Sequence, residues 1–197
     1  MGKKKIIGLC LAVGLMVGVI GGSLAWFTDT DSVTNSFATE GNGENLNNGI
    51  KIYEEFDKAA AGKVLPGAEV NKDAKVINTA TYSQLIRVNF EKVWKNANGK
   101  NLNLDFIQLK YQNVTTSNEA NKWIDGNDGY YYYNGVVPAG VATEYLLDSV
   151  KLSDEANNDY KNVGYDVIVN AEGIQATNGA VSNAWESAPD TIKNLGE

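Results

Sequence analysis

The chain contains no histidine, one cysteine and two methionines in 197 residues, and each shortage removes a class of chemistry. Without imidazole there is no Ser-His-Asp or Cys-His nucleophile system, no His-Glu-x-x-His zinc motif and no mixed His metal site. Arg87 is the only arginine, so a cluster of guanidinium groups gripping phosphate or carboxylate is also excluded. Internal repeats, heptads and proline-rich linkers are missing as well. Cys10, Met1 and Met16 all lie near the start, so a chain that has lost its leading segment holds no sulfur. Disulfides are then ruled out, and stability must come from the core, a bound ion, another kind of covalent cross-link or neighbouring subunits.

What is present begins with an export signal. Lys3, Lys4 and Lys5 form a positive leader, residues 6–20 are apolar with glycines at Gly8, Gly14 and Gly18, and Ser23 and Ala25 are small residues at −3 and −1 of a cleavage site after Ala25. The competing reading is a retained membrane anchor, which the glycines and the small-residue break disfavour. Cys10 is an apolar filler of that stretch rather than a lipidation site. Cleavage leaves 172 of the 197 residues; Lys+Arg falls from 17 to 14 against 24 Asp+Glu, and the net charge is −10. That is one domain's worth of chain with an acidic surface, which argues against nucleic acid as a partner and suits a secreted protein.

The remainder is written in strand language. Residues 50–53, 70–77, 84–94, 102–111, 130–133, 145–152 and 164–175 combine β-branched or aromatic side chains with alternation, which predicts an all-β, two-sheet antiparallel sandwich. In 84–94, Ile86, Val88, Phe90 and Trp94 fall on one face, and Arg87, Asn89 and Glu91 on a face expected to be wet. Pro66-Gly67 predicts a type II turn, Asn134-Gly135 a hairpin, and Pro138-Ala139-Gly140 a further turn. Residues 116–123 and 153–161 are expected to be short peripheral helices, and the stretch after Thr177 a loop and frayed tail. Residues 26–39 form an N-terminal arm, 40–49 a Gly/Asn-rich connector, and 50–197 the sandwich domain.

Several residues are candidates for function. Trp26, Phe27, Val33 and Phe37 are large apolar side chains on a polar arm, the pattern of a strand that completes a sheet, its own or a neighbour's. Asp125, Asn127 and Asp128, and less so Asp29 and Asp31, offer oxygen ligands at a spacing calcium tolerates, without the full twelve-residue loop of an EF-hand. Tyr130, Tyr131, Tyr132 and Tyr133 place alternate rings on opposite faces, either as a carbohydrate or protein contact or as hairpin packing. Lys72, Lys75, Asn78, Asn170 and Glu172 lie on predicted strands where a Lys-to-carboxamide isopeptide bond can form beside a protonated acid, against the plain reading of solvated side chains.

The junction Gly21-Gly22-Ser23-Leu24-Ala25-Trp26-Phe27-Thr28-Asp29 resembles that of the TasA–camelysin family of secreted proteins of Gram-positive bacteria, processed by an alternate, SipW-type signal peptidase. The run from Val64 through Pro66-Gly67 to Asp73 is similar to that family's Pro-Gly turn. Asp128 to Tyr133, Tyr165 to Ala176 and Ala184-Trp185 resemble its clostridial biofilm-matrix branch. The resemblance implies a jelly-roll-like subunit that polymerises into extracellular fibres, its processed arm inserted into the next subunit by strand addition, with an accessory anchoring protein as a further partner. It also brings a metallopeptidase label through camelysin, which a chain without histidine cannot support by any familiar zinc site. The expectation is therefore a non-enzymatic homopolymer without a required cofactor, touching the membrane only through its signal peptide. A monomeric surface adhesin is the alternative from the binding class, and a carboxylate-only secreted peptidase the one from the enzyme class.

Overall fold

The computed structural model describes residues 31–35, 49–61, 64–95, 97–161, 163–177 and 179–196. Trp26, Phe27, Phe37, Asp29, the cleavage site and most of the connector lie outside them. Two long strands form the backbone of one sheet: β4 (Gln84–Lys95) and β9 (Gly164–Gln175) run antiparallel over their full length, from Gln84 opposite Gln175 to Lys95 opposite Gly164. Ile86, Val88 and Phe90 of β4 and Tyr165, Val167, Val169 and Ala171 of β9 point inward by strict alternation.

The architecture is all-β, two sheets packed face to face. The remaining strands are β1 (Asp31–Asn35), β2 (Ile50–Phe56), β3 (Glu69–Asn78), β5 (Ile107–Tyr111), β6 (Trp123–Asp125), β7 (Tyr131–Tyr133) and β8 (Leu147–Leu152). One sheet has the order β1-β9-β4-β7-β6 and the other β2-β3-β8-β5. Four antiparallel strands in each sheet are compatible with a jelly-roll-like sandwich, and β1 joins the first sheet as an added parallel strand. Between the sheets lie Ile52, Val70, Val76, Val88, Leu147, Val150, Val167 and Val169, all buried. Each such aliphatic side chain contributes about 1.5–3 kcal/mol relative to exposure.

The turns follow backbone chemistry with one exception. Leu65 O accepts from Ala68 N at 2.9 Å and Gly67 has φ +83°, the type II geometry expected of Pro66-Gly67. Pro138 to Val141 closes likewise at 3.1 Å, with Gly140 at φ +76°. Asn134-Gly135 is not a hairpin: β7 pairs with β4 and β6, and Val137 bridges to Gln84. The Asn134 side chain is buried and donates to Glu119 O at 2.9 Å, so a local turn signal yields to a tertiary hydrogen bond. The hairpin is instead β6-β7, turning through Asn127 (φ 55°) and Gly129 (φ 92°).

The helix expectations also change. Residues 116–123 form no helix; the segment ends in β6 and is tied by Asn121 N to Asn134 O at 2.8 Å. Within 153–161 only a 3-10 turn forms, Asn158–Tyr160. Residues 102–111 divide into a 3-10 turn, Leu104–Phe106, and β5. The helices sit elsewhere: α1 (Lys58–Ala61) is short, and α2 (Ala180–Ala184) and α3 (Asp190–Lys193) fall in the expected tail. That tail is packed, with Val181, Trp185 and Ile192 buried against Leu85, Tyr132 and Ile174 on the outer face of the first sheet. The first sheet therefore carries a hydrophobic core on each side.

Candidate assembly edge

β1 is the described part of the arm. It lies parallel along β9, Asp31 opposite Val169, Val33 opposite Ala171 and Asn35 opposite Gly173. Among the described residues β9 is its ladder partner and no turn joins the two, so β1 is held as an edge strand supplied from far away in sequence. Its register covers Val169 to Gly173 of β9; the first half of that strand, from Gly164, has its far side unmatched among the described residues. Gly173 suits a close approach: a Cβ there would meet Ile50 Cγ2 at 2.8 Å and the Gln84 amide oxygen at 2.9 Å. The edge can accept a strand whose main chain supplies the hydrogen bonds.

The acidic turn bonds within its own hairpin and to Ser187 of the C-terminal segment. Asp125 Oδ1 accepts from Asn127 N at 2.8 Å, and Asp128 Oδ1 from Tyr130 N at 3.0 Å. Asp128 Oδ2 accepts from Tyr132 and from Ser187, each at 2.7 Å. Burial works against its charge, yet the bonds from Ser187, Tyr132 and Tyr130 hold the carboxyl below its ordinary value. Among the described residues no group of three or more acidic, His or Cys side chains is placed to hold a metal.

The tyrosines alternate as expected, but both faces are covered. Tyr133 packs on Trp123 at 5.2 Å in the inner core, and Tyr132 on Trp185 at 6.0 Å in the outer one. Arg87, expected on a wet face, is enclosed by the same outer cluster. Its guanidinium lies 3.9 Å from the Tyr130 ring centroid and 4.7 Å from that of Trp185. Its Nη2 and Nε donate to Glu172 Oε2 at 2.7 and 3.0 Å, and Tyr130 donates to Glu172 Oε1 at 2.9 Å. Burial opposes the charge on Arg87, but Glu172 and Tyr132 hold its pKa above the ordinary value. Burial first, and then the bond to Glu172, pushes the Tyr130 phenol up.

The isopeptide candidates do not converge on one another. Lys72 is buried beside Glu54 at 3.0 Å and over Phe56, an inward charge near the edge of the second sheet. Lys75 lies on the outer face between Tyr53 and Tyr145, 5.0 and 4.3 Å from their centroids. The Asn78 amide donates to Tyr82 O and Val137 O, both at 2.8 Å, Asn170 donates to Asn89 at 3.0 Å, and Glu172 belongs to Arg87.

Sequence reasoning missed the Arg87-Glu172-Tyr130-Trp185 cluster. A lone arginine in a strand otherwise rich in apolar residues, with a tryptophan in a polar tail, was the signal available. Fold and edge together define a β-sandwich with an N-terminal edge strand paired parallel to β9. Comparison with protein-family models, curated proteins and solved structures returns no match.

Proposed function

We propose that the chain is a secreted structural subunit that polymerises by adding its N-terminal arm to the sheet edge of a neighbour. The observation that carries the reading is β1, a strand parallel to β9 and joined to it by no hairpin among the described residues. A strand attached in this way leaves its edge without unzipping a turn, and a second copy offers the same edge with the same register, the logic of strand exchange. Parallel pairing is slightly weaker per residue than antiparallel, which lowers the cost of release. Among the described residues of the single chain, β1 pairs with its own β9.

Removal of residues 1–25 frees Trp26 and Phe27 to join Val33 and Phe37 in docking on the neighbour, and residues 40–49 span the gap. An alternate signal peptidase is the processing partner, and the fibre belongs to the cell surface or extracellular matrix, where an accessory protein anchors it. Polymerisation needs no catalysis and no cofactor. The adhesin reading loses ground because Tyr130 and Tyr132 spend their hydroxyls on Glu172 and Asp128.

Electron microscopy of protein beginning at Trp26, beside protein beginning at Asn48, tests the proposal. Fibres are expected only from the longer chain. Monomers from both, or the same fibres from both, overturn it.

A further inference from the structure

Residues 26–197 contain neither sulfur nor imidazole, so phenol and indole rings are their most readily oxidised side chains. Tyr111 and Tyr131 are the closest tyrosine pair among the described residues. Their ring centroids lie 4.5 Å apart at an interplanar angle of 39°, against 6.5 Å for Tyr53 and Tyr145 and 6.3 Å for Tyr130 and Tyr132. At 4.5 Å the ring edges are in van der Waals contact.

The pair has a defined place in the fold. Tyr111 ends β5, the edge of the second sheet, beside a register shift between Lys110 and Tyr111 that turns the strand end. Tyr131 begins β7 of the first sheet, opposite Val88. Phe90 braces both rings at 5.5 and 6.3 Å. Tyr111 is 36% exposed, so an oxidant reaches the pair from solvent.

We propose that Tyr111 and Tyr131 are a site of oxidative cross-linking, a dityrosine that ties one sheet to the other where no disulfide can. The oxidant is a peroxide used by a haem peroxidase. Each phenol surrenders one electron and its hydroxyl proton, and the two phenoxyl radicals join through their Cε carbons. The hydrogens on those carbons move to the oxygens as both rings regain aromaticity. Two electrons and two protons in all reduce one peroxide to two waters. Held in contact, the radicals couple within the chain before a second chain arrives, the advantage any intramolecular reaction has. Tyr53 and Tyr145 are a built-in contrast: Lys75 stands over both rings, and both hydroxyls donate to Glu55 Oε1, at 3.1 and 3.0 Å. The proposal does not depend on polymerisation.

The test treats the chain beginning at Trp26 with a haem peroxidase and hydrogen peroxide, isolates the monomer, and digests it with trypsin. Cleavage after Lys110 and Lys122 puts Tyr111, as the only tyrosine, in residues 111–122, and Tyr131 in residues 123–151. The expected product is these two peptides joined with loss of two hydrogens, fluorescing as dityrosine, with fragmentation locating the second ring at Tyr131. Tyr111→Phe and Tyr131→Phe, which keep the ring packing, each lose that product, while Tyr53→Phe keeps it. Wild-type monomer that yields no such joined peptide, that joins Tyr53 to Tyr145 instead, or that links only between chains, overturns the proposal whatever the variants do.

Discussion

Trp185→Ala removes the centre of the outer core, and its cost follows from the packing. The indole is 1% exposed, meets Tyr132 edge-on at 6.0 Å and covers the Arg87 guanidinium at 4.7 Å. Truncating a buried tryptophan to alanine costs about 3–5 kcal/mol through lost transfer energy and the cavity left behind. The edge-to-face pair, about 0.5–1.5 kcal/mol, is within that figure. A domain of this size holds roughly 5–15 kcal/mol in total, so the variant should lose a large fraction of its stability. Equilibrium urea unfolding followed by far-UV circular dichroism measures the loss without relying on the fluorescence of the replaced residue. Trp185→Phe is the companion: the indole N–H is buried with no acceptor among the described residues, so phenylalanine surrenders volume but no hydrogen bond. It should cost clearly less than alanine. If Trp185→Ala stays within about 0.5 kcal/mol of wild type, the range of surface substitutions, then the segment after Thr177 is not packed on the first sheet and the two-core description fails.

Three further outcomes follow from the same geometry. Lys72→Met strips the buried Glu54 carboxylate of its ion-pair partner and should cost about 3–5 kcal/mol in the same urea assay, whereas Lys72→Met with Glu54→Leu should recover most of it; equal losses in the single and double variants would refute the pairing. Gly67→Ala forces a side chain into φ +83° and should cost about 1 kcal/mol or more in thermal unfolding, with no loss pointing to a different turn. Asp128 has a folded pKa below its unfolded one, so the stability it contributes is fully present above the ordinary carboxylate range and disappears as pH falls through the folded value. Asp128→Asn should therefore flatten the acid limb of a stability-versus-pH curve by less than about 1 kcal/mol, the group being partly solvated; an unchanged acid limb would contradict its bonds to Tyr132 and Ser187.

The strands β3, β4 and β9 were legible because alternation is a property of neighbouring residues: Val70 to Asn78 or Tyr165 to Ala171 carry their period wherever they are placed. Pro66-Gly67 was legible for the same reason, since the turn needs only a fixed φ and a positive one. Asn134-Gly135 carried an equally local signal and lost, because Glu119 and Gln84, distant in the chain, offered Asn134 and Val137 better partners. The helices α2 and α3 have five and four residues and no side-chain caps, so nothing within them announces a helix; burial of Trp185 and Ile192 on the sheet holds them. Period two divides a strand into two faces but does not say what covers either one. That is why the residues alone determined that Arg87 and Leu85 share a face, and only the packing of a segment about a hundred residues later decided that this face is a core, since covering a surface is a contact between parts of the chain that no local pattern records.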